Sequence, residues 1–453
     1  MSSGTAELAG QLGKALGGRV ASVRRLSGGA SRLTSAFELE TEAGAVRRLI
    51  LQQVRGDGLS ERSGTDVEAN LLRAAAAAGV PVPGVVAAGA ADGLPSGWLV
   101  VERLEGETIP RRIFGDEFAG ARAALTDQAA TALAAIHTID PASVHGLPGA
   151  DPLRHPLEFL DALGAARPVL ELGVRWLDHH RPHMGRPVVV HGDFRMGNLL
   201  IDDTGLRGVL DWELAHLGDP AEDIGWLCAR SWRFGGRGRV GGFGELDAFL
   251  DTYTAAGGEP VDHERVRWWE AYATIKWAVI CLLQASAHLS GATRSVELAA
   301  IGRRVCESEW DLLDLMGVDR PQEDGTSHED GPGTVPVTST VFGRPTVAEL
   351  VEAVTEYLEA SVMPQAEGAA RFEARVARNV LAIVGRELAL APGAVAAHSE
   401  RLRRLGAADD GDLAAGIRAG NYDKDLLGVA TLLADGVRDQ LLVANPPYLG
   451  ELQ

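Results

Sequence analysis

Val188-Val-Val-His191-Gly-Asp193-Phe-Arg195-Met-Gly-Asn198-Leu-Leu-Ile201 decides the fold, together with Val209-Leu-Asp211-Trp-Glu213 a few residues on. A β-branched apolar run ends in His-Gly-Asp, a short loop follows, and Asn198 opens a second apolar run. Asp203-Thr-Gly205 supplies turn residues, and a third run leads to Asp211. The spacing predicts strand, loop, strand, hairpin turn and strand. It returns the chain so that Asp211 lies beside Asn198. Gly192 and Gly197 permit tight turns around Asp193.

Phosphoryl transfer leaves the protein little covalent work; positioning and charge stabilisation do most of it. Asp193 is placed to accept a hydroxyl proton. Asn198 and Asp211 form a hard, oxygen-rich pair suited to Mg²⁺ alongside phosphate oxygens. A plain hairpin with surface Asp and Asn explains any one of these residues, but not the full His-x-Asp-x₄-Asn spacing with a returning Asp.

The chain has 453 residues, 46% hydrophobic and 23% charged, with net charge −19. That length exceeds one ordinary core and predicts two or three domains. The acidic balance argues against nucleic acid or an anionic membrane as main partner. It leaves room for an anionic cofactor where local Arg or Mg²⁺ reverses the field. Lysine occurs only at Lys14, Lys276 and Lys424, so nearly all positive charge is Arg. No apolar run is expected to reach bilayer length, and the N-terminus lacks a basic-then-apolar leader pattern. Cys228, Cys281 and Cys306 are widely spaced and read as buried thiols of a reducing compartment. The expected location is cytoplasmic.

Residues 1–104 read as strand-rich with one helix, which Gly79, Pro81 and Pro83 end. Residues 105–316 read as mostly helical, with one helix expected near Pro156–His180. Residues 317–342 form a polar, Gly- and Asp-rich flexible linker that cannot bury enough apolar surface to fold. Pro345-Thr346-Val-Ala-Glu349 is a capping-box pattern. Val347, Leu350, Val351, Val354 and Leu358 then recur at helical spacing and open a helical C-terminal domain, residues 343–453.

His191-Gly-Asp-Phe-Arg-Met-Gly-Asn198 and Leu210-Asp-Trp-Glu-Leu-Ala-His-Leu-Gly-Asp219-Pro-Ala-Glu-Asp223 resemble the aminoglycoside phosphotransferase / choline kinase-like family. They are nearest the kinase-like domain associated with acyl-CoA dehydrogenases. The resemblance covers about residues 20–316. It implies an α+β chain: a bilobal protein-kinase-like fold, N-lobe 1–104 and C-lobe 105–316, followed by a separate all-α domain. That last domain resembles a helical domain of unassigned function. The resemblance also implies Asp193 as the catalytic base, Asn198 and Asp211 as Mg²⁺ ligands, ATP as cofactor, and a small-molecule hydroxyl as acceptor. A hydroxylated acyl-CoA or related metabolite is the acceptor the subgroup suggests.

On the cofactor side, Ser27, Gly28, Gly29, Ala30 and Ser31 stand where the family has its loop over the ATP phosphates. Glu68 matches the helix Glu that pairs with a strand cation. Glu102 matches the hinge whose backbone contacts adenine. The third strand departs from the pattern: Gln52 stands where Lys or Arg is expected. Alternation puts Arg48, Ile50 and Gln52 on one face. Three readings stay open: an Arg substitutes from a neighbouring position, ATP binding is weakened, or the register is off by one and brings in Gln53.

Arg195, Arg230, Trp232 and Arg233 are substrate candidates, because Arg forks suit phosphate or carboxylate; ordinary packing explains them equally well. His137 reads as a packed core histidine, His191 as a loop-orienting residue, Asp219 as a helix cap and Asp223 as a brace for the loop. Gln52 motivates an alternative function, a nucleotide-binding pseudokinase or regulator. A further alternative is a scaffold whose helical tail is an interaction module. Neither nucleic acid nor membrane is expected as a partner.

Overall fold

The computed structural model describes residues 3–26, 32–54, 64–149, 153–319 and 344–450. Ser27, Gly28, Gly29, Ala30 and Ser31 lie outside the described residues, as does most of the expected linker. The chain divides into two compact units, residues 1–150 with 182–270 and residues 151–181 with 271–453.

The first unit opens with α1 (Ser3–Leu16), β1 (Gly18–Arg25), β2 (Arg32–Thr41), β3 (Val46–Val54), α2 (Thr65–Ala77), β4 (Val85–Ala88) and β5 (Trp98–Glu102). The strands form an antiparallel sheet in the order β1-β2-β3-β5-β4. Leu49 and Leu51 of β3 are fully buried with Phe37, Leu39 and Val100. Period-two alternation therefore turns Ile50 and Gln52 to the other face. This settles the register at Gln52 rather than Gln53. Helix α1 is one more helix than the sequence pattern predicts for this region. Its Leu8, Leu12 and Ala15 recur at helical spacing and pack on the same core.

Next come α3 (Pro110–Ile113) and α4 (Ala119–His137). The chain leaves for α5 (Arg154–Leu163) and α6 (Pro168–His179) of the second unit. It returns as β6 (Val188–Val190), β7 (Leu199–Asp202), β8 (Gly205–Val209), β9 (His216–Gly218), α7 (Ala221–Cys228), α8 (Leu246–Ala255) and α9 (His263–Leu289). β6 pairs with β9 and β7 with β8. The predicted hairpin closes at Asp202 and Gly205, where a φ of +119° calls for glycine.

The second unit holds α5, α6, the part of α9 from residue 271, α10 (Val296–Ile301), α11 (Val305–Leu315), α12 (Val347–Tyr357), α13 (Gly368–Leu405), α14 (Asp410–Arg418), α15 (Leu426–Ala444) and α16 (Pro447–Gly450). It has no strand among the described residues. The single helix expected near Pro156–His180 is two. Gly164, at φ +59°, ends α5, and Pro168 begins α6. The Thr346/Glu349 capping box forms as expected. The C-terminal helices bond to α6 and α11: Arg418 pairs with Glu171 and Arg175 with Asp423, while Tyr448 Oη donates to Asp311 Oδ2 at 2.6 Å. Compactness thus joins residues 344–450 to C-lobe helices across the linker. One sequence expectation is corrected: the helical stretch from Gly368 has an 18-residue window of mean hydropathy 1.6, long and apolar enough by composition to cross a membrane.

Candidate active site

β6 delivers His191, Gly192 and Asp193 into a buried loop. Asp193 Oδ1 accepts from Arg195 Nε and from Trp226 Nε1, both at 2.8 Å. Its Oδ2 accepts from Asn198 Nδ2 at 2.6 Å. Three donors fix the orientation of this carboxylate. The Asn198 amide nitrogen is thereby committed, leaving Oδ1 as the end able to meet a cation. The Leu210 amide donates to the Asn198 carbonyl at 2.9 Å, which sets Asp211 beside it. Asp211 has φ +65°. Its carboxyl is pushed up to about 7 by burial and by Glu213, Asp193 and Glu68 nearby, with Arg32 opposing.

The loop is braced from behind. Asp223 of α7 accepts from the His191 amide at 2.7 Å and the Gly192 amide at 2.9 Å. His137 Nε2 lies 3.2 Å from the same carboxylate, and His137 Nδ1 lies 2.7 Å from the Tyr253 hydroxyl. A neutral imidazole satisfies both if Nε2–H donates to Asp223 and Nδ1 accepts from tyrosine. Burial alone would raise Asp223, but the hydrogen bonds it accepts from His137 and from the His191 amide hold it below the ordinary carboxylate range. His191 is fully buried against Trp212, and burial lowers its basicity, as suits a neutral orienting residue. Asp219 accepts from the Ala221 amide at 2.8 Å at the start of α7 and pairs with Arg265.

The cation missing from β3 arrives from β2. Arg32 is buried, forms an ion pair with Glu68, lies 3.3 Å from Glu213, and donates to Gln52 Oε1 at 3.3 Å. Thr34 is the direct partner of Gln52 in the β2–β3 ladder, and Arg32 shares its face two residues earlier. Of the three readings of Gln52, the structure favours a neighbouring Arg, though not Arg48. Arg48 is exposed and lies 3.5 Å from Glu105. It lines a groove of about 560 Å³ together with Glu102, Leu104 and Arg207. The Glu102 amide donates to the Gly84 carbonyl at 2.8 Å, and its side chain lies 3.3 Å from Arg47.

The substrate candidates separate. Arg195 stacks over Trp232, 4.3 Å from the ring centre, while its Nε holds Asp193. Arg230 opens the short turn that ends at Trp232. Arg233 turns inward, donating to the Cys228 carbonyl and to Glu270 at 2.8 Å. Arg32 and Trp226 touch the candidate site, and the sequence pattern singled out neither. The strand ladder locates Arg32 across from the Gln52 segment. The i, i+3 spacing of Asp223 and Trp226 on α7 puts both on the face that meets the loop.

Among the described residues, no group of three or more His, Cys, Asp or Glu side chains is arranged to hold a metal. Mg²⁺ needs no such cage, since one or two carboxylates with substrate phosphates suffice. A carboxyl raised first by burial and then by three neighbouring carboxylates is one whose charge a divalent cation would balance. Asn198 and Asp211 therefore fit the ion.

A model of the phosphotransferase enzyme family matches residues 22–269, more than half of the chain. A domain of unknown function (DUF6285) matches residues 364–448. A crystal structure from Ralstonia eutropha JMP134, described as an aminoglycoside phosphotransferase, superposes with TM-score 0.55 at 21% identity, over 69% of this chain and 98% of that one. Choline kinase LicA from Streptococcus pneumoniae is more distant, with TM-score 0.45 and 15% identity over 68% of this chain and 98% of that one. A 63-residue stretch is 43% identical to acyl-CoA dehydrogenase family member 10 of Mus musculus, covering 14% of this chain and only 6% of that protein. With its strand-rich first lobe, helical second lobe and a tail that is helical throughout its described residues, the chain has a kinase-like α+β fold and belongs to the phosphotransferase enzyme family.

Proposed function

We propose that this phosphotransferase uses ATP and Mg²⁺ to phosphorylate a hydroxyl on a small molecule. One observation carries the proposal: the Arg32–Glu68–Gln52 cluster meets the Asp193–Asn198–Asp211 loop through Glu213, within a single compact unit. A cation and a base are thus held on two sides of one carboxylate-rich centre.

Asp193 takes the hydroxyl proton on Oδ2, which keeps a free lone pair beside the hydrogen bond from Asn198, while Arg195 and Trp226 hold Oδ1. Asn198 and Asp211 hold Mg²⁺, which when bound supplies charge neutralisation on the nucleotide phosphates. Arg32 does the work of the strand cation, oriented by Glu68. Ser27, Gly28, Gly29, Ala30 and Ser31 and the groove at Arg48 and Glu102 seat the nucleotide. Arg195, carried on Trp232, meets the transferring group, with Arg230 beside it; Arg233 has a packing role through Glu270.

The acceptor is a hydroxylated acyl-CoA or related metabolite. The identity shared with a mouse protein named for acyl-CoA dehydrogenation supports this class over an antibiotic. The test is turnover of ATP and Mg²⁺ with hydroxyacyl-CoAs, free hydroxy acids, choline and aminoglycosides, with the product identified by mass spectrometry. Asp193→Asn should abolish product while nucleotide binding survives. Phosphorylation of choline or an aminoglycoside alone would reject the acceptor class. A second reading is a nucleotide-binding regulator, favoured by the sharing of Arg32 between two buried carboxylates. Tight ATP binding with no product from any acceptor would select it.

A further inference from the structure

Phe234 stands beside the candidate active site on strained backbone. We propose that it selects an acceptor in which the hydroxyl is joined to an apolar arm and an anionic group. Asp211 and Phe234 are the two non-glycine residues with positive φ among the described residues. Phe234 has φ +49°, a region that strains a bulky side chain. Strain of that kind persists only where the surroundings fix it, and it concentrates at ligand sites. Burial of the ring does not offset it, since the residue is 42% exposed.

The surroundings do fix it. Arg233 donates to the Cys228 carbonyl and to Glu270, and Arg239 donates to the other carboxylate oxygen of Glu270 at 2.7 Å. The Gly236 amide donates back to the Arg233 carbonyl at 2.8 Å, and the Gly241 amide to the Leu227 carbonyl at 3.0 Å. The turn that carries Phe234 is thus tied down before and after it. The phenyl ring centre lies 6.4 Å from that of Trp232, and the Arg195 guanidinium sits over Trp232 at 4.3 Å. Arg195 in turn holds Asp193. An aromatic wall therefore leads from the proposed base to the exposed phenyl.

Charge gives the acceptor its second feature. From Ala229 to Gly244 the sequence holds Arg230, Arg233, Arg237 and Arg239 and no acidic residue, within a chain of net charge −19. Glu270 pairs with both Arg233 and Arg239, and one carboxylate balances only one of them. Arg237 is exposed on the same turn. The segment is therefore locally positive. Arg forks suit a carboxylate or phosphate, and exposed rings suit an alkyl chain; together they disfavour a polycation. The chemistry that fits is a hydroxylated acyl chain with an anionic group, as a free hydroxy acid or as its CoA thioester. The inference rests on the proposed transfer to a small-molecule hydroxyl, and it adds the residue that chooses among acceptors.

Calorimetry on the full chain reads acceptor binding apart from turnover. The probes are 3-hydroxydecanoate and 3-hydroxybutyrate, each as free acid and as CoA thioester, with uncharged 1,3-decanediol and cationic kanamycin as controls. The wild type should bind the longer probe at least about tenfold tighter than the shorter, and the tighter of the two forms identifies the source. The diol should bind about tenfold more weakly than the matching anion. Phe234→Gly keeps the left-handed turn and removes the ring. It should cut the length preference to about twofold, while the melting temperature holds or rises as strain is relieved. A wild type with no length preference overturns the inference, as does one that binds the diol or kanamycin as tightly as the anion. A Phe234→Gly protein that keeps the preference and melts lower also overturns it, and makes the ring a packing residue. The transfer reading fails separately: the expected preferences with no phosphorylated product by mass spectrometry would reject the reaction and leave the ligand selection standing.

Discussion

Arg32 on β2 and Glu68 on α2 form a buried ion pair, and the same guanidinium donates to Gln52 on β3. The strand paired with β5 therefore needs only an acceptor at position 52. The charge that the pattern calls for is present one strand away.

Arg32→Ala should be costly twice over. It leaves Glu68 buried without the guanidinium it pairs with, a loss of about 3–5 kcal/mol in urea unfolding at pH 7. It should also weaken Mg-ATP binding at least tenfold by calorimetry. Arg32→Gln/Gln52→Lys, which returns a cation to the third strand, should recover part of both. An Arg32→Ala protein with unchanged melting and nucleotide affinity would remove this residue from the site.

Trp226→Phe keeps a ring against Trp232, whose centre lies 5.2 Å away, but removes the N–H that holds Asp193 Oδ1. A hydrogen bond to a charged group is worth about 1.5–3 kcal/mol, so kcat should fall roughly 10- to 100-fold. KM for ATP should stay within a few-fold. A lower melting temperature with unchanged kcat would mean that the indole only packs.

Asp223 gives a pH signature. Its folded-state carboxyl lies below the ordinary range, so its stabilisation is complete above the unfolded value of about 4 and fades as pH falls through the lower folded value. Asp223→Asn should cost about 2–3 kcal/mol at pH 7. The gap between wild type and variant should be flat from about pH 5 to 8 and narrow below about pH 4. A gap that widens on acidification would contradict the brace.

In the second unit, Glu171 is only 2% exposed and relies on Arg418. Arg418→Ala should lower stability by about 2–4 kcal/mol, toward the smaller figure because the guanidinium is partly in water. Adding Glu171→Gln should restore some of the loss by removing the stranded charge. Additive losses in the double variant would show that the two side chains are not coupled.

The Asp193–Asn198–Asp211 arrangement of the candidate site was legible because it is local. Asp193, Asn198 and the hairpin that returns Asp211 lie within nineteen consecutive residues, where spacing and turn chemistry suffice. Arg32 was not legible, because its role depends on the pairing of Thr34 with Gln52 and on the reach of a helix thirty-six residues away. Trp226 was masked by its type, since a tryptophan in an apolar helix reads first as core. The break at Gly164 was visible as a residue but weak as a signal, because an apolar helical pattern continues on both sides. The packing of residues 344–450 with α6 and α11 rests on contacts between segments 137 to 247 residues apart, such as Tyr448 with Asp311 and Arg418 with Glu171. No local pattern reveals those.

Asp211 holds its carboxylate on a left-handed backbone. Few residues tolerate that geometry; Gly, Asn and Asp do so most readily, and others are strained by about 1–3 kcal/mol. Replacing it with Ala would therefore mix two injuries, one to the chemistry and one to the chain path, whereas Asn removes the charge alone. The same asymmetry constrains descent. A lineage that lost the reaction but kept the fold would most easily carry Asn or Gly at this position, so the residue found at 211 in a related chain reports whether the proposed metal site is still in service.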